Sequence, residues 1–136
     1  KNISLPKYET SGSSGLDLAA NIKNSIQIEP GKISIIPTGI SLAIPKNYEI
    51  QIRPRSGLAV KNQISVLNTP GTIDADYRGE IKVILINLGN KTFTVENGAR
   101  VAQMVVCPII KAKLKEVENL DDTTRGSDGF GSTGLK

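Results

Sequence analysis

Apolar residues in this chain return mostly at every second position, in runs too short for helices, and that periodicity leaves few architectures open. Ile26-Gln27-Ile28, Ile33-Ser34-Ile35, Ile40-Ser41-Leu42-Ala43-Ile44 and Ile50-Gln51-Ile52 alternate. Ile81 to Ile86 is a short continuous run rich in β-branched residues, and Thr92-Phe93-Thr94-Val95 alternates again before Val101 to Val106. Gly or Pro punctuates nearly every gap, at Pro30-Gly31, Pro37 to Gly39, Pro45, Pro70-Gly71, Leu88-Gly89-Asn90 and Asn97-Gly98. Short strands at this spacing predict an all-β barrel or sandwich. Lys111 to Leu120 has a composition that suits a helix, but Ile110, Ala112 and Leu114 alternate, and we read it as a further strand. With 136 residues the chain is long enough to bury a core without a disulfide or a metal staple.

The pattern breaks at Asp121. From there to Lys136 the chain is Gly, Ser, Thr and Asp with one aromatic, Phe130, and cannot bury enough surface to hold itself. Residues 1–120 are therefore expected to form the domain and residues 121–136 a flexible C-terminal arm. A frayed terminus is the plain reading of such a segment. An Arg, a Phe and a Gly/Ser/Thr cluster are also what a lid that orders on a ligand requires.

The chain contains no histidine and one cysteine, Cys107, so Ser-His-Asp and Cys-His nucleophile pairs are excluded, as is a zinc site of the usual nitrogen and sulfur type. Catalysis would have to run on carboxylates, hydroxyls, amides and Lys/Arg, with a hard ion such as Mg²⁺ held by oxygens. A net charge of +4 is compatible with a phosphorylated small molecule. There is no concentrated basic tract and no Trp, so a nucleic-acid partner is not expected. No apolar run is long enough to cross a bilayer and no signal-peptide pattern opens the chain, so no membrane partner is expected either. A single thiol that cannot form an internal disulfide fits a cytoplasmic location.

Two segments offer chemistry. In Arg53-Pro54-Arg55-Ser56-Gly57, two guanidinium groups leave a strand and meet a hydroxyl and exposed backbone amides, the groups that grip phosphate oxygens. Taken alone, it is equally a strand end with solvated arginines. Gly71-Thr72-Ile73-Asp74-Ala75-Asp76-Tyr77-Arg78-Gly79, preceded by Asn68, places two carboxylates and a Tyr between apparent strands, as in a long hairpin or a sharp turn. If that segment were extended, Asp74 and Asp76 would face opposite sides and could not act as a pair. Local turn chemistry accounts for the same residues. Gly12 to Leu18, a flexible approach to an acid at a strand start, and Asn97 to Gln103, a turn feeding a strand, are weaker signals.

Together with the arm, these segments resemble, in order, the motifs of the trimeric dUTPase family. Gly15-Leu16-Asp17-Leu18 is similar to the first motif, Pro54-Arg55-Ser56-Gly57 to the second, and Gly71 to Gly79 to the third. Gly98 to Gln103 is similar to the fourth, and Arg125-Gly126-Ser127-Asp128-Gly129-Phe130-Gly131-Ser132-Thr133-Gly134 to the fifth. The match runs from Leu5-Pro6-Lys7-Tyr8 to Gly134, and the second, third and fifth motifs are specific in combination.

The resemblance implies a jelly-roll-like β-barrel, a homotrimer with sites at subunit interfaces, and hydrolysis of dUTP to dUMP and pyrophosphate with Mg²⁺. That reaction keeps uracil out of DNA and supplies dUMP for thymidylate synthesis. Position by position it implies that Asp74 orients the attacking water and that Tyr77 packs under deoxyribose, where a ribose 2′-hydroxyl would clash. Asn68 and the backbone of Gly71, Thr72 and Ile73 would read uracil. Arg55, Ser56, Gly57 and Gln103 would contact phosphate, Lys82 would line the pocket, and Asp17 would reach Mg²⁺ through water. In the arm, Arg125 would meet the γ-phosphate, Phe130 would stack over uracil, and Gly131, Ser132 and Thr133 would complete the phosphate contacts. Asp128 stands where the fifth motif usually has Gly, which implies weaker closure of the arm. The family also usually carries a strand upstream of the first residue here.

Other readings fit parts of the pattern. In the related dCTP deaminases a proton-shuttling Glu lies on the strand after the third motif, at the register of Ile84 here, and an apolar residue cannot do that work. A non-catalytic dUTP-binding trimer would keep the fold without the chemistry, against which stand intact Asp74, Tyr77 and Arg125. A nucleic-acid-binding β-barrel is the outsider.

Overall fold

The structure, a computed structural model, describes residues 3–136. Among them are nine strands and one short helix. All the strand pairs are antiparallel. The strands are β1 (Leu16–Ala19), β2 (Ile26–Ile28), β3 (Ile33–Ser41), β4 (Tyr48–Arg53), β5 (Ile64–Val66), β6 (Gly71–Ile73), β7 (Glu80–Asn87), β8 (Phe93–Val95) and β9 (Arg100–Pro108); the helix, α1, is Ser56–Asn62. They form a four-stranded sheet in the order β1-β9-β4-β6, a three-stranded sheet β3-β7-β5, and the pair β2-β8. Sequence neighbours repeatedly lie in different sheets, as a jelly-roll-like β fold requires.

Alternation decides what is inside. On β3 and β7 the pair Ile36 and Val83 is fully buried, while Ile35 and Ile84, the next pair along, face outward. Leu18 opposite Ala102, Ile52 opposite Met104 and Val66 opposite Leu85 point inward from the other ladders. The core is aliphatic, mostly Ile and Val, whose branched side chains suit a pleated surface. Each such side chain contributes about 1.5 to 3 kcal/mol when removed from water, enough that the fold needs no covalent staple. Two polar residues are buried with it. Asn87 donates to the carbonyls of Ile28 at 2.8 Å and Lys91 at 2.7 Å, and accepts from Gly89 N at 2.9 Å. Thr38 donates to the Ile81 carbonyl at 2.6 Å.

The structure departs from the sequence reading in three places. Pro37 to Gly39 does not separate two strands: β3 runs through it, with a register shift between Pro37 and Ser41 and a left-handed Gly39 at φ 72°. Residues 42–44 then lie outside the strand. Arg55 to Gly57 leads into the helix α1, which buries none of its residues and so carries no apolar period to betray it. Asp74 to Tyr77, by contrast, is a sharp turn, one of the two forms expected for it, closed by Tyr77 N donating to Asp74 O at 3.1 Å. Lys111 to Leu120 is not a strand, and all of residues 111–128 are exposed, so the alternating apolar side chains there have no surface within the chain to cover.

Candidate active site

One group of predicted residues gathers where β1, β9 and β4 lie side by side. Asp17 on β1 pairs with Gln103 on β9, which pairs on its other side with Arg53 at the end of β4. The two-residue step Arg53-Pro54 then brings Arg55 back over the sheet as the residue that caps α1. Its Nε donates to Asp17 Oδ1 at 3.2 Å, and Arg100 donates to Asp17 Oδ2 at 3.4 Å. Gln103 Nε2 donates to the Pro54 carbonyl at 2.9 Å, which orients its amide beside the same loop. Gly15 leaves room for that amide: a Cβ there would lie 2.6 Å from Gln103 Oε1. Ser56 and Gly57 open α1, and the first amides of a helix have no acceptor within it. The result is a hydroxyl, free amides and guanidinium groups facing solvent around one neutralised carboxylate.

A second group lines a cleft of about 330 Å³ bounded by Ile35, Thr72, Ile73, Asp74, Tyr77, Glu80, Lys82 and Ile84. β6 and β7 form its walls without pairing with each other, since β6 belongs to the sheet of β4 and β7 to the sheet of β3 and β5. The turn between them carries Asp74 at one end and Tyr77 at the other. Arg78 braces it from outside, donating to the carbonyls of Ala75 at 2.7 Å and Tyr77 at 3.0 Å. Asp74 is exposed and its carboxylate makes no hydrogen bond within the described residues, so it is available to a solvent molecule. Asp76 does not line this cleft; it lines a second depression with Lys46, Asn47 and Lys111, and Asp74 borders both. Gly71, buried, pairs with Ile52 at the start of β6, and Asn68 packs beside it, its Nδ2 3.2 Å from where a Cβ of Gly71 would be.

The third group stays apart. Arg125, Phe130, Gly131, Ser132 and Thr133 lie in an exposed arm whose hydrogen bonds are all internal to it, such as Arg125 Nε to Asp128 O at 2.9 Å. Phe130 is fully exposed with a left-handed φ of 51°. Among the described residues no side-chain hydrogen bond or ion pair joins the Asp17 cluster, the Asp74 cleft and the arm. Two residues near these groups escaped the sequence reading. Arg100 shares Asp17 with Arg55 and lies inside the Asn97 to Gln103 segment, three residues before Gln103; Glu80 lines the cleft and directly follows the Gly71 to Gly79 segment, three residues after Tyr77.

No group of three or more Asp, Glu, His or Cys side chains among the described residues could encage a metal. Both oxygens of Asp17 are already engaged by guanidinium groups. A lone carboxylate such as Asp17 is compatible with Mg²⁺, which keeps several waters and rarely uses an all-protein cage. No helix among the described residues is long and apolar enough to cross a membrane.

Comparison with known proteins gives a consistent result. The family model described as dUTPase matches residues 1–134. A deoxyuridine 5'-triphosphate nucleotidohydrolase of Brucella melitensis biotype 2 is 56% identical over 136 residues, spanning 98% of this chain and 87% of the relative. One from Caldanaerobacter subterraneus subsp. tengcongensis is 53% identical over 135 residues, spanning 99% and 91%. Among solved structures, the Staphylococcus bacteriophage 80alpha dUTPase with dUPNHPP superposes with a TM-score of 0.85 at 27% identity, covering 99% of this chain and 94% of that one.

Proposed function

The chain belongs to the dUTPase family and hydrolyses dUTP, and we propose that it does so at sites assembled between three copies of itself. The reaction is attack of water on the α-phosphorus: a new P–O bond forms, the bond to the bridging oxygen breaks, and dUMP and pyrophosphate leave. The observation that carries this reading is the turn that sets Asp74 and Tyr77 together in one cleft, with Tyr77 N bonded to Asp74 O at 3.1 Å.

Each group has a role in it. The free carboxylate of Asp74 accepts a hydrogen bond from the attacking water, orients it and takes up its proton. The Tyr77 ring lies under deoxyribose, and the backbone of Gly71, Thr72 and Ile73 with Asn68 reads uracil by hydrogen-bond polarity, while Lys82 lines the pocket. Arg55, Ser56, Gly57 and Gln103 hold the phosphates through charge-assisted bonds and free amides. Mg²⁺, held by substrate phosphates with Asp17 receiving its waters, would neutralise charge on the triphosphate and pyrophosphate. Arg125, Phe130, Gly131, Ser132 and Thr133 close over the nucleotide and exclude water, so ordering of the arm, residues 121–136, is spent on the correct ligand. Ile84, lining the same cleft, offers no proton for deamination, which favours hydrolysis over the reaction of the related dCTP deaminases.

A cyclic homotrimer is supported by the separation of the three groups within one chain and by the bare apolar stretch after β9, where Ile110 is 99% and Leu114 92% exposed. A cytoplasmic location goes with a soluble nucleotide substrate and the free thiol of Cys107.

The test is pyrophosphate release with Mg²⁺ against dUTP, dTTP, dCTP and UTP separately, with products identified by chromatography. Fast release from dUTP alone, giving dUMP, is the expected result. Tight binding of dUTP without turnover would make the protein a non-catalytic trimer, and dUTP formed from dCTP would overturn the assignment of Ile84.

A further inference from the structure

The turn between β6 and β7 is held from both sides, and the contacts on its Tyr77 side bear on sugar selection. We infer that Gly79 and Glu80 are positioning residues for the Tyr77 ring and thereby set the preference for deoxyribose over ribose; this rests on the proposed role of Tyr77 under the sugar. Tyr77 Oη donates to the backbone carbonyl of Glu80 at 2.9 Å, so the side chain folds back across Gly79. A Cβ on Gly79 would stand 2.6 Å from Tyr77 Cζ and 3.1 Å from Cε2, and would collide with the hydroxyl. The ring can occupy its place only because residue 79 has no side chain. Unlike the left-handed glycines of this chain, Gly79 is thus required for space rather than for backbone conformation.

The carbonyl that receives the Tyr77 hydroxyl is itself anchored. Glu80 Oε1 accepts the Gly39 amide at 2.8 Å, at the irregular part of β3 where the ladder with β7 shifts register. Glu80 also pairs with Ser41 across that ladder. A continuous path of hydrogen bonds therefore runs from the β3 backbone through the Glu80 residue to the Tyr77 hydroxyl. This matters because ribose differs from deoxyribose by one oxygen. A wall rejects one added oxygen only if it cannot retreat by an ångström or so, and a ring tethered at its far end to a strand cannot. Lys82 and Ile84 line the cleft beyond it, but neither they nor Asp74 contacts the ring through a hydrogen bond.

The experiment measures kcat/KM for dUTP and UTP in wild type, Gly79→Ala, Tyr77→Phe, Glu80→Ala, Glu80→Gln and Tyr77→Ala. Gly79→Ala and Glu80→Ala are expected to lower the dUTP-to-UTP ratio by about tenfold, the scale of discrimination that one small group supports. Tyr77→Phe keeps the ring but loses the tether itself, so its ratio should fall at least as far as that of Glu80→Ala, and Glu80→Gln, which keeps an acceptor oxygen for Gly39, should retain most of the ratio. Equal losses on both substrates, with the ratio unchanged in Gly79→Ala and Glu80→Ala, would overturn the inference by giving the two residues a structural role only. If Gly79→Ala does not fold, as judged by circular dichroism, Tyr77→Phe and Glu80→Ala decide the matter. An unchanged ratio in Tyr77→Ala would instead remove the premise that Tyr77 reads the sugar, and that outcome is distinct from the first.

Discussion

Arg55 and Asp17, separated by 38 residues in the chain, meet across 3.2 Å at the meeting of three strands. The guanidinium proposed to hold phosphate thus carries a counter-charge within the chain itself. Asp17 is shared with Arg100 at 3.4 Å, so it would keep one cationic partner if Arg55 engaged a phosphate as proposed. In the proposed reaction that carboxylate would help hold Mg²⁺.

Asp17→Asn is accordingly expected to lower kcat/KM by about 10- to 100-fold, as loss of an outer-shell metal partner does, and to raise the Mg²⁺ concentration needed for half-maximal rate. The fold should barely notice, because the Arg55 and Asp17 side chains are 32% and 23% exposed and pairs so open to water contribute under about 1 kcal/mol. A Mg²⁺ titration of the rate, set beside urea denaturation, measures both effects.

Asp74→Asn removes the acceptor for the proton of the attacking water while leaving a side chain of the same size. Since Asp74 is exposed and its carboxylate makes no hydrogen bond among the described residues, stability should be unchanged, and turnover should fall by about 10²- to 10⁴-fold. Calorimetry with the non-hydrolysable analogue dUpNHpp should show affinity close to that of the unmodified protein. Retention of most of the rate would take Asp74 out of the reaction.

Phe130→Ala is expected to raise KM for dUTP and to slow turnover, because the arm loses the ring that covers the base. Mixing chains that carry Phe130→Ala with chains that carry Asp74→Asn, followed by refolding together, should restore part of the activity if arm and cleft come from different subunits. No recovery would mean that each site is completed by its own chain.

Asn87→Ala tests the core rather than the site. The substitution strands the carbonyls of Ile28 and Lys91 and the amide of Gly89, all served by one buried side chain. A loss of about 2 to 3 kcal/mol is expected from groups left unpaired in the interior. The urea midpoint should drop accordingly, while the dUTP-to-UTP ratio at 25 °C should not move.

Much of this molecule was legible in one dimension because its information is local. Period-two alternation marks strands such as Ile50-Gln51-Ile52 whatever they pair with, since a pleated strand exposes and buries alternate residues. The motif segments were legible only through their resemblance, taken in order, to those of the dUTPase family; by spacing alone Asp74, Tyr77 and Gly79 read equally well as local turn chemistry. The helix at Ser56–Asn62 was not legible, because it buries nothing and leaves no periodic trace. Nor was the continuity of β3 through Pro37 to Gly39, where a register shift absorbs residues that normally end a strand. The strand expected over Lys111 to Leu120 had alternation without a partner surface, and alternation alone holds nothing.

What the sequence by itself determined was the strand-rich class, the exclusion of histidine chemistry and the set of groups available for catalysis, all properties of residue type and short-range order. Only the tertiary structure decided which of those groups meet. Asp17 reaches Arg55 because β1 and β4 flank β9 in one sheet, and Tyr77 is fixed because Glu80 is tied to Gly39 on another strand. Such contacts depend on strand order and register, which arise from simultaneous burial of the whole core and leave no mark at the positions they join.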